Sequence, residues 1–317
     1  HVKRHSFPTR RSSDLKIINC SWGGSTASSV YQDIITYVTL DLGCLVVGSA
    51  GNDGTSDLLY PAAYDYVLSV AGSDSNDKVA TFSNYGKTID ITAPGVNTFT
   101  TGFNDIYQNQ TGTSFSAPIV SGAAALVWAA NPTYTPLQVG EQLRISADPI
   151  IYANSASKYA NKLGRGRLDI KNALTIESPS VRASKPLLVK DDGNPPDPGQ
   201  TANLYFDFTN YLKSTSSGLE ITISSTSTFL TISKNTIRPG IISENSTIRN
   251  TLDPFIVTIK STTPLNTPIE VVLTFKDGAY SDLQTISFVI PSYIDINENN
   301  ITTSLSSNGR MGYEDSQ

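Results

Sequence analysis

The sequence predicts an α/β unit built on a parallel sheet, followed by an antiparallel β-sandwich. Three observations carry this. In the first half, short apolar runs alternate with helical patterns and end in glycine-rich loops, as strands of a parallel sheet with crossover helices do. After Leu174 the apolar period falls to two residues, with Pro, Gly, Ser and Asn between the runs, which is the pattern of a sandwich. A chain of 317 residues is also longer than one core usually serves, so two domains are expected.

The start of the chain stands apart. His5 to Leu15 reads HSFPTRRSSDL, the translation of a common short-read sequencing adapter, so residues 1–15 are set aside as an adapter-like artefact, the alternative being a natural basic arm. From Lys16 the elements follow in order. Ile17-Ile18-Asn19-Cys20 is a buried-strand candidate, and Val30, Ile34, Ile35, Val38 and Leu42 recur at helical spacing. Leu45-Val46-Val47-Gly48, Val67-Leu68-Ser69-Val70 and Ile89-Asp90-Ile91 supply further strands, and Ala117 to Ala130 a buried helix. Another helix is expected from Pro136 to Ser146, with Thr135 as its cap, Pro136 as its first residue and Gln138 closing a capping box.

These elements make one domain over 16–176. The Pro- and Ser-rich stretch Glu177 to Pro186 reads as a hinge. Beyond it, Leu204, Phe206 and Phe208 alternate with polar residues, as do Leu219, Ile221 and Ile223, then Phe255, Val257 and Ile259, and later Ile286, Phe288 and Ile290. That places the sandwich over 187–291. The remainder, 292–317, is polar and weakly patterned and reads as a tail or the start of a further module.

Composition excludes several classes of function. Lys and Arg number 23 against 28 Asp and Glu, which gives no electrostatic grip on a phosphate backbone, so no nucleic-acid partner is expected. No apolar run approaches the roughly 20 residues of a bilayer span, so no membrane span is expected either. Cys20 and Cys44 are too few for a disulfide framework and fall at opposite ends of neighbouring strands, so two free thiols are expected. The two histidines, His1 and His5, both lie in or beside the adapter-like segment, which excludes a histidine-rich metal centre.

Three glycine-centred blocks carry the chemistry: NCSWGG at Asn19 to Gly24, GSAGNDG at Gly48 to Gly54, and GTSFSAP at Gly112 to Pro118. Ser114 sits at the start of the Ala117 to Ala130 helix, where unpaired amide donors and the positive end of the dipole favour negative charge. By itself such a serine reads equally as a helix cap. Asn52, after a strand and two small residues, can donate an amide hydrogen to a developing oxyanion, or can simply be a turn residue of Asn-Asp-Gly. The spacing excludes a lipase or esterase elbow, since GxSxG needs glycine where Ser116 stands.

Together, and in this order, the blocks resemble the subtilisin-like serine proteases, the subtilases. The resemblance covers roughly Lys16 to Leu174, including ITAPGV at Ile91 to Val96 and GRGRLD at Gly164 to Asp169. It implies a partial subtilisin-like catalytic domain, a secreted or cell-surface location, a polypeptide substrate, Ser114 as nucleophile and Asn52 as oxyanion donor. Ser21, Trp22 and Gly23 are implied as one rim of the substrate cleft and Ser49, Ala50 and Gly51 as the opposite wall, with core as the alternative for Trp22. No cofactor is implied beyond calcium, for which Asp90 near Tyr64 and Val67 is a candidate, Thr88 standing where a second carboxylate can occur.

In the subtilase order the catalytic Asp and His precede the SWGG block, and no Asp-Ser/Thr-Gly or His-Gly-Thr motif occurs in the sequence. The chain is therefore expected to be a fragment of a serine endopeptidase, inactive by itself. The alternative is a catalytically inactive subtilase-like protein serving binding or a surface role.

Overall fold

The computed structural model describes residues 15–150, 154, 157–264, 267–290, 293–298, 301–306 and 311–314. The adapter-like segment, apart from Leu15, lies outside the described residues, as do both histidines. The chain divides into two units, His1–Ser180 and Val181–Gln317.

In the first unit, β1 (Ile17–Cys20), β2 (Leu45–Ser49), β3 (Val67–Ser73) and β4 (Ile91–Pro94) form one sheet in the order β1-β2-β3-β4. Every neighbouring pair is parallel, in register Ile17↔Leu45, Val46↔Val67 and Val70↔Ile91, so the four carboxyl ends lie on one side. β2 and β3 are buried at every residue, which is why they read as mainly apolar runs without polar alternation. The strand expected at Ile89 begins two residues later. Asp90 instead grips Ser69, its N–H donating to Ser69 O at 3.1 Å and its Oδ2 accepting Ser69 N–H at 2.9 Å, and ladder pairing starts at the next residue.

α2 (Thr113–Ala130) crosses the sheet and fills the core, with Val120, Ala123, Ala124 and Val127 against Val47, Val70 and Ile91. It starts four residues before the helix expected from the sequence. By length and composition α2 is apolar enough to cross a membrane, but those buried residues make it a core helix. α3 (Pro136–Ile145) adds Val139 and Leu143 to the same core. Its capping box is complete: Gln138 N–H donates to Thr135 Oγ1 at 3.2 Å and Thr135 N–H to Gln138 Oε1 at 3.0 Å. α4 (Ile170–Thr175) is capped by Asp169, and Gln142 of α3 donates to Ala173 O and Ile176 O at 3.0 and 2.9 Å.

α1 (Ser29–Thr36) departs from expectation. It runs into a π turn, Tyr37–Asp41, and packs through Ile35 and Val38 on Cys20, Val46, Tyr64 and Val67. Val30 and Ile34 are 62% and 49% exposed, because Ile34 lies roughly 100° round the helix from Ile35. A hairpin not anticipated from the sequence, β5 (Thr98–Thr101) and β6 (Tyr107–Gln110), stacks Phe99 on Tyr107 with centroids 5.6 Å apart. Cys20 and Cys44 are free and buried. Burial raises the Cys20 thiol above its ordinary pKa.

The second unit begins with β7 (Val181–Val189), whose first residues fall inside the stretch read as a hinge. Among the described residues it pairs only with β8 (Thr201–Asn210), and its register shifts between Ser184 and Leu187, a place where an edge strand tolerates Pro186. β9 (Glu220–Ser224), β10 (Leu230–Lys234), β11 (Thr236–Ile237), β12 (Ser246–Arg249), β13 (Phe255–Ile259), β14 (Pro268–Asp277) and β15 (Tyr280–Val289) follow. They form antiparallel sheets in the orders β10-β13-β8-β12, with β7 on β8, and β11-β9-β14-β15. Fully buried Phe208 of one sheet meets Phe275 of the other, their rings 6.3 Å apart at 78°, while Phe206 packs on Phe255 of its own sheet at 6.2 Å. β16 (Tyr293–Glu298), β17 (Ile301–Ser306) and β18 (Met311–Glu314) form a three-stranded antiparallel sheet within the stretch read as tail or further module.

The capping box gives a direct stability test. Thr135→Ala is expected to lower the unfolding free energy by about 1 kcal/mol in urea titration; an unchanged midpoint would show that α3 is held by packing alone.

Candidate active site

The carboxyl ends of the parallel strands converge on the first turn of α2. Gly112 is its cap residue, at φ 149° and ψ 155°, a region essentially reserved to glycine. Its N–H donates to Gly95 O at 2.8 Å, which ties the turn to the end of β4. Ser116 Oγ, fully buried, donates to Pro94 O at 3.1 Å, a second link to the same strand end.

Thr113 joins the turn to the loop after β2. Its N–H donates to Asn52 Oδ1 at 2.9 Å and its hydroxyl to the same oxygen at 3.0 Å, while Gly51 N–H donates to Thr113 Oγ1 at 3.2 Å. This fixes the Asn52 amide. A backbone N–H meets only an acceptor, so the end of the carboxamide facing Thr113 is oxygen and the other end, Nδ2, is the donor left over. Asn52 is exposed, so that donor is within reach of a ligand. Of the N–H groups at the start of the helix, those of Gly112, Thr113 and Phe115 are taken by Gly95 O, Asn52 Oδ1 and Gly112 O.

Ser114, half-buried, is paired with the end of β1. Ser21 Oγ donates to Ser114 O at 2.8 Å, and Ser114 Oγ donates to Ser21 O at 3.3 Å. The reason lies in Pro118. In an α-helix Ser114 O would accept the N–H of residue 118, and proline has none. The Ser21 hydroxyl takes its place. Asn19 Nδ2 in turn donates to Ser21 Oγ at 2.9 Å, and Ser121 Oγ to Asn19 Oδ1 at 3.2 Å. Position 118, read in the sequence as lying near the start of the helix, is therefore inside it, and its consequence for Ser21 was not legible from spacing.

The other residues singled out in the sequence fall as follows. Trp22 is 67% exposed and takes no part in the core, and Gly23 beside it is exposed. Ser49 and Ala50 are each 3% exposed at the end of β2, so what they offer a ligand is backbone, and Gly51 is buried next to them. Asp90 spends one carboxylate oxygen on Ser69, and among the described residues no cluster of three or more His, Cys, Asp or Glu gathers.

A parallel α/β sheet with a serine, a carboxamide and a helix N-terminus gathered at its carboxyl edge defines the class. The sequence profile of the subtilase family matches residues 6–172, and the chain belongs to that family. It is 39% identical over 150 residues to a thermostable alkaline protease of Halalkalibacterium halodurans, covering 47% of this chain and 40% of that one. It is 38% identical over 133 residues to subtilisin BL of Lederbergia lenta, covering 42% and 49%. A thermophilic serine proteinase of a Bacillus species is 33% identical over 163 residues, covering 51% and 38%. The chain thus spans less than half the length of these curated relatives.

The Pro118 account makes a quantitative prediction. Ser21→Ala is expected to cost about 1 kcal/mol of stability, and clearly less in a Pro118→Ala background, where residue 118 again supplies an N–H. Strictly additive costs in urea unfolding would refute it.

Proposed function

We propose that this chain carries the nucleophile and oxyanion-binding half of a secreted serine endopeptidase. The observation that carries this reading is the double hydrogen bond from Thr113 to Asn52 Oδ1, which sets an amide donor beside the residue that precedes Ser114. In the reaction, Ser114 Oγ bonds to the scissile carbonyl carbon and its proton passes to a general base. The oxyanion is held by Asn52 Nδ2 and the Ser114 N–H. The C–N bond then breaks as the base returns the proton to the departing amine, leaving an acyl-enzyme that water hydrolyses.

The base and its orienting acid are, in this proposal, a His and an Asp in the part of the gene product preceding Lys16, so the chain by itself is inactive. The polypeptide substrate lies extended between Ser21, Trp22 and Gly23 on one side and Ser49, Ala50 and Gly51 on the other, pairing with backbone. The second unit is a β-sandwich accessory domain that acts as a spacer or docking module. A second reading, a catalytically inactive subtilase-like binding or surface protein, is favoured by one observation: among the described residues the partner of Ser114 Oγ is a carbonyl, not a base.

The two readings separate in the full-length gene product. A fluorophosphonate probe is expected to label Ser114, with labelling lost in Ser114→Ala; an unlabelled, folded full-length protein establishes the inactive reading. Asn52→Ala is expected to lower kcat by about two to three orders of magnitude, the range found for loss of such a donor in a subtilisin, a member of the same family. No metal is assigned a role, and chelation with EDTA is expected to leave Tm unchanged; a fall of several degrees would point to a structural cation such as calcium.

A further inference from the structure

The loop that carries Asn52 is not held by its own residues. Gly51 to Thr55 lies along a second segment, Phe82 to Tyr85, and the two exchange backbone hydrogen bonds. Gly54 N–H donates to Phe82 O at 2.7 Å, Asn84 N–H to Gly51 O at 3.0 Å and Tyr85 N–H to Thr55 O at 3.0 Å. At the centre is the Asn84 side chain, 3% exposed. Its Oδ1 accepts Asp53 N–H at 2.9 Å and Thr55 N–H at 3.4 Å. Asn84 therefore bonds the residue on each side of Asn52: Gly51 through its backbone and Asp53 through its side chain.

The fit on the Gly51 side is tight. Gly51 has φ 109°, and a Cβ there would lie 2.5 Å from Asn84 Nδ2 and 3.0 Å from Asn84 Cγ. The small residue before Asn52 is thus required by the amide packed against it. Asn84 is itself anchored to the sheet. The preceding Ser83 Oγ accepts Gly72 N–H of β3 at 2.9 Å and donates to Asn84 O at 3.0 Å. A chain of bonds accordingly runs from the interior of β3 through Ser83 and Asn84 to the backbone flanking Asn52, and ends at Thr113 beside Ser114.

We infer that Asn84 is the positioning residue for the oxyanion donor: it clamps the backbone on both sides of Asn52 and so sets where the Asn52 carboxamide points. It touches no substrate. This inference rests on the proposed function, and its test is built so that the two can fail separately.

The experiment is a double-mutant cycle on the full-length gene product, with kcat and KM for a peptide substrate measured alongside thermal unfolding. Asn84→Ala is expected to lower kcat roughly 10- to 100-fold with KM nearly unchanged, the size of effect that an ångström of misplacement produces. In an Asn52→Ala background the same change is expected to lower kcat less than threefold further, since the donor it positions is gone. Asn84→Asp keeps the acceptor for Asp53 and Thr55 and is expected to recover most of the lost kcat. Asn84→Leu, of similar volume without an acceptor, is the second variant should alanine not fold, with the result expected of alanine.

An unchanged kcat in the folded Asn84→Ala protein, or an effect that multiplies fully with that of Asn52→Ala, overturns the inference while leaving the oxyanion reading intact. Failure of both Asn84→Ala and Asn84→Leu to fold also overturns it, assigning the residue to stability alone. An unchanged kcat in Asn52→Ala overturns the oxyanion reading itself and this inference with it.

Discussion

A missing hydrogen sets the terms for the whole site. Pro118 sits in the sixth position of α2, and the carbonyl four residues before it belongs to Ser114. A carbonyl left bare at a helix N-terminus costs free energy unless another donor reaches it. The donor here comes from outside the helix, from Ser21 after β1, so the serine backbone is fixed by a strand end rather than by its own helix. The same holds for the rest of the turn. Thr113 is held by Asn52 after β2, and Gly112 and Ser116 are held from the end of β4. A helix start stitched to strand ends in this way cannot drift without breaking several buried bonds at once.

The topology makes such stitching possible. Because all four strands of the sheet run parallel, their carboxyl ends finish on one side, and a helix that crosses the sheet begins where they finish. The apolar part of α2 then supplies what the polar turn does not. Val120, Ala123, Ala124 and Val127 bury against β2, β3 and β4 and hold the helix axis in place, while the hydroxyls of the first turn select its rotation. Small residues at 123 and 124 let the helix approach the sheet closely. Packing and hydrogen bonding therefore act on different degrees of freedom of the same element.

What could be read from the sequence follows the same division. Signals written in local spacing were legible: the Thr135, Pro136 and Gln138 cap, the mainly apolar runs of β2 and β3, and the two-residue alternation of Phe206, Phe208, Val257 and Ile259. Signals that depend on a distant partner were not. Three of the four residues by which α2 starts early, Thr113, Ser114 and Ser116, are hydroxyl residues, and partners distant in sequence, Asn52, Ser21 and Pro94, hold them in a helical turn. β5 and β6 look like a polar loop because their stability comes from each other. The stretch 181–186 carries Pro and Ser like a linker, yet it is an edge strand whose bulge accommodates the proline. Of the candidate site, Ser114 and Asn52 were visible as motif residues, whereas Asn84, in the unremarkable run FSNYG, acquires meaning only from the 30-residue sequence gap that its side chain closes to Asp53.

The orientation of the Asn52 amide ties these strands of reasoning together. Oxygen and nitrogen of a carboxamide have nearly the same shape, so steric fit alone leaves the group free to face either way. Chemistry removes the ambiguity, because the main-chain N–H of Thr113 can only donate. The Thr113 hydroxyl accepts from Gly51 N–H and has two acceptors within reach of its own proton, Asn52 Oδ1 at 3.0 Å and Gly51 O at 3.3 Å. A flipped amide would set its Nδ2 donors against the Thr113 N–H. The donor end, Nδ2, is therefore the end turned away from the Thr113 N–H, and this orientation is set within the protein itself. Preorganisation of this kind needs the backbone under Asn52 to be as fixed as the helix above it, which is the physical reason to look for a clamp such as Asn84 on the far side of the loop.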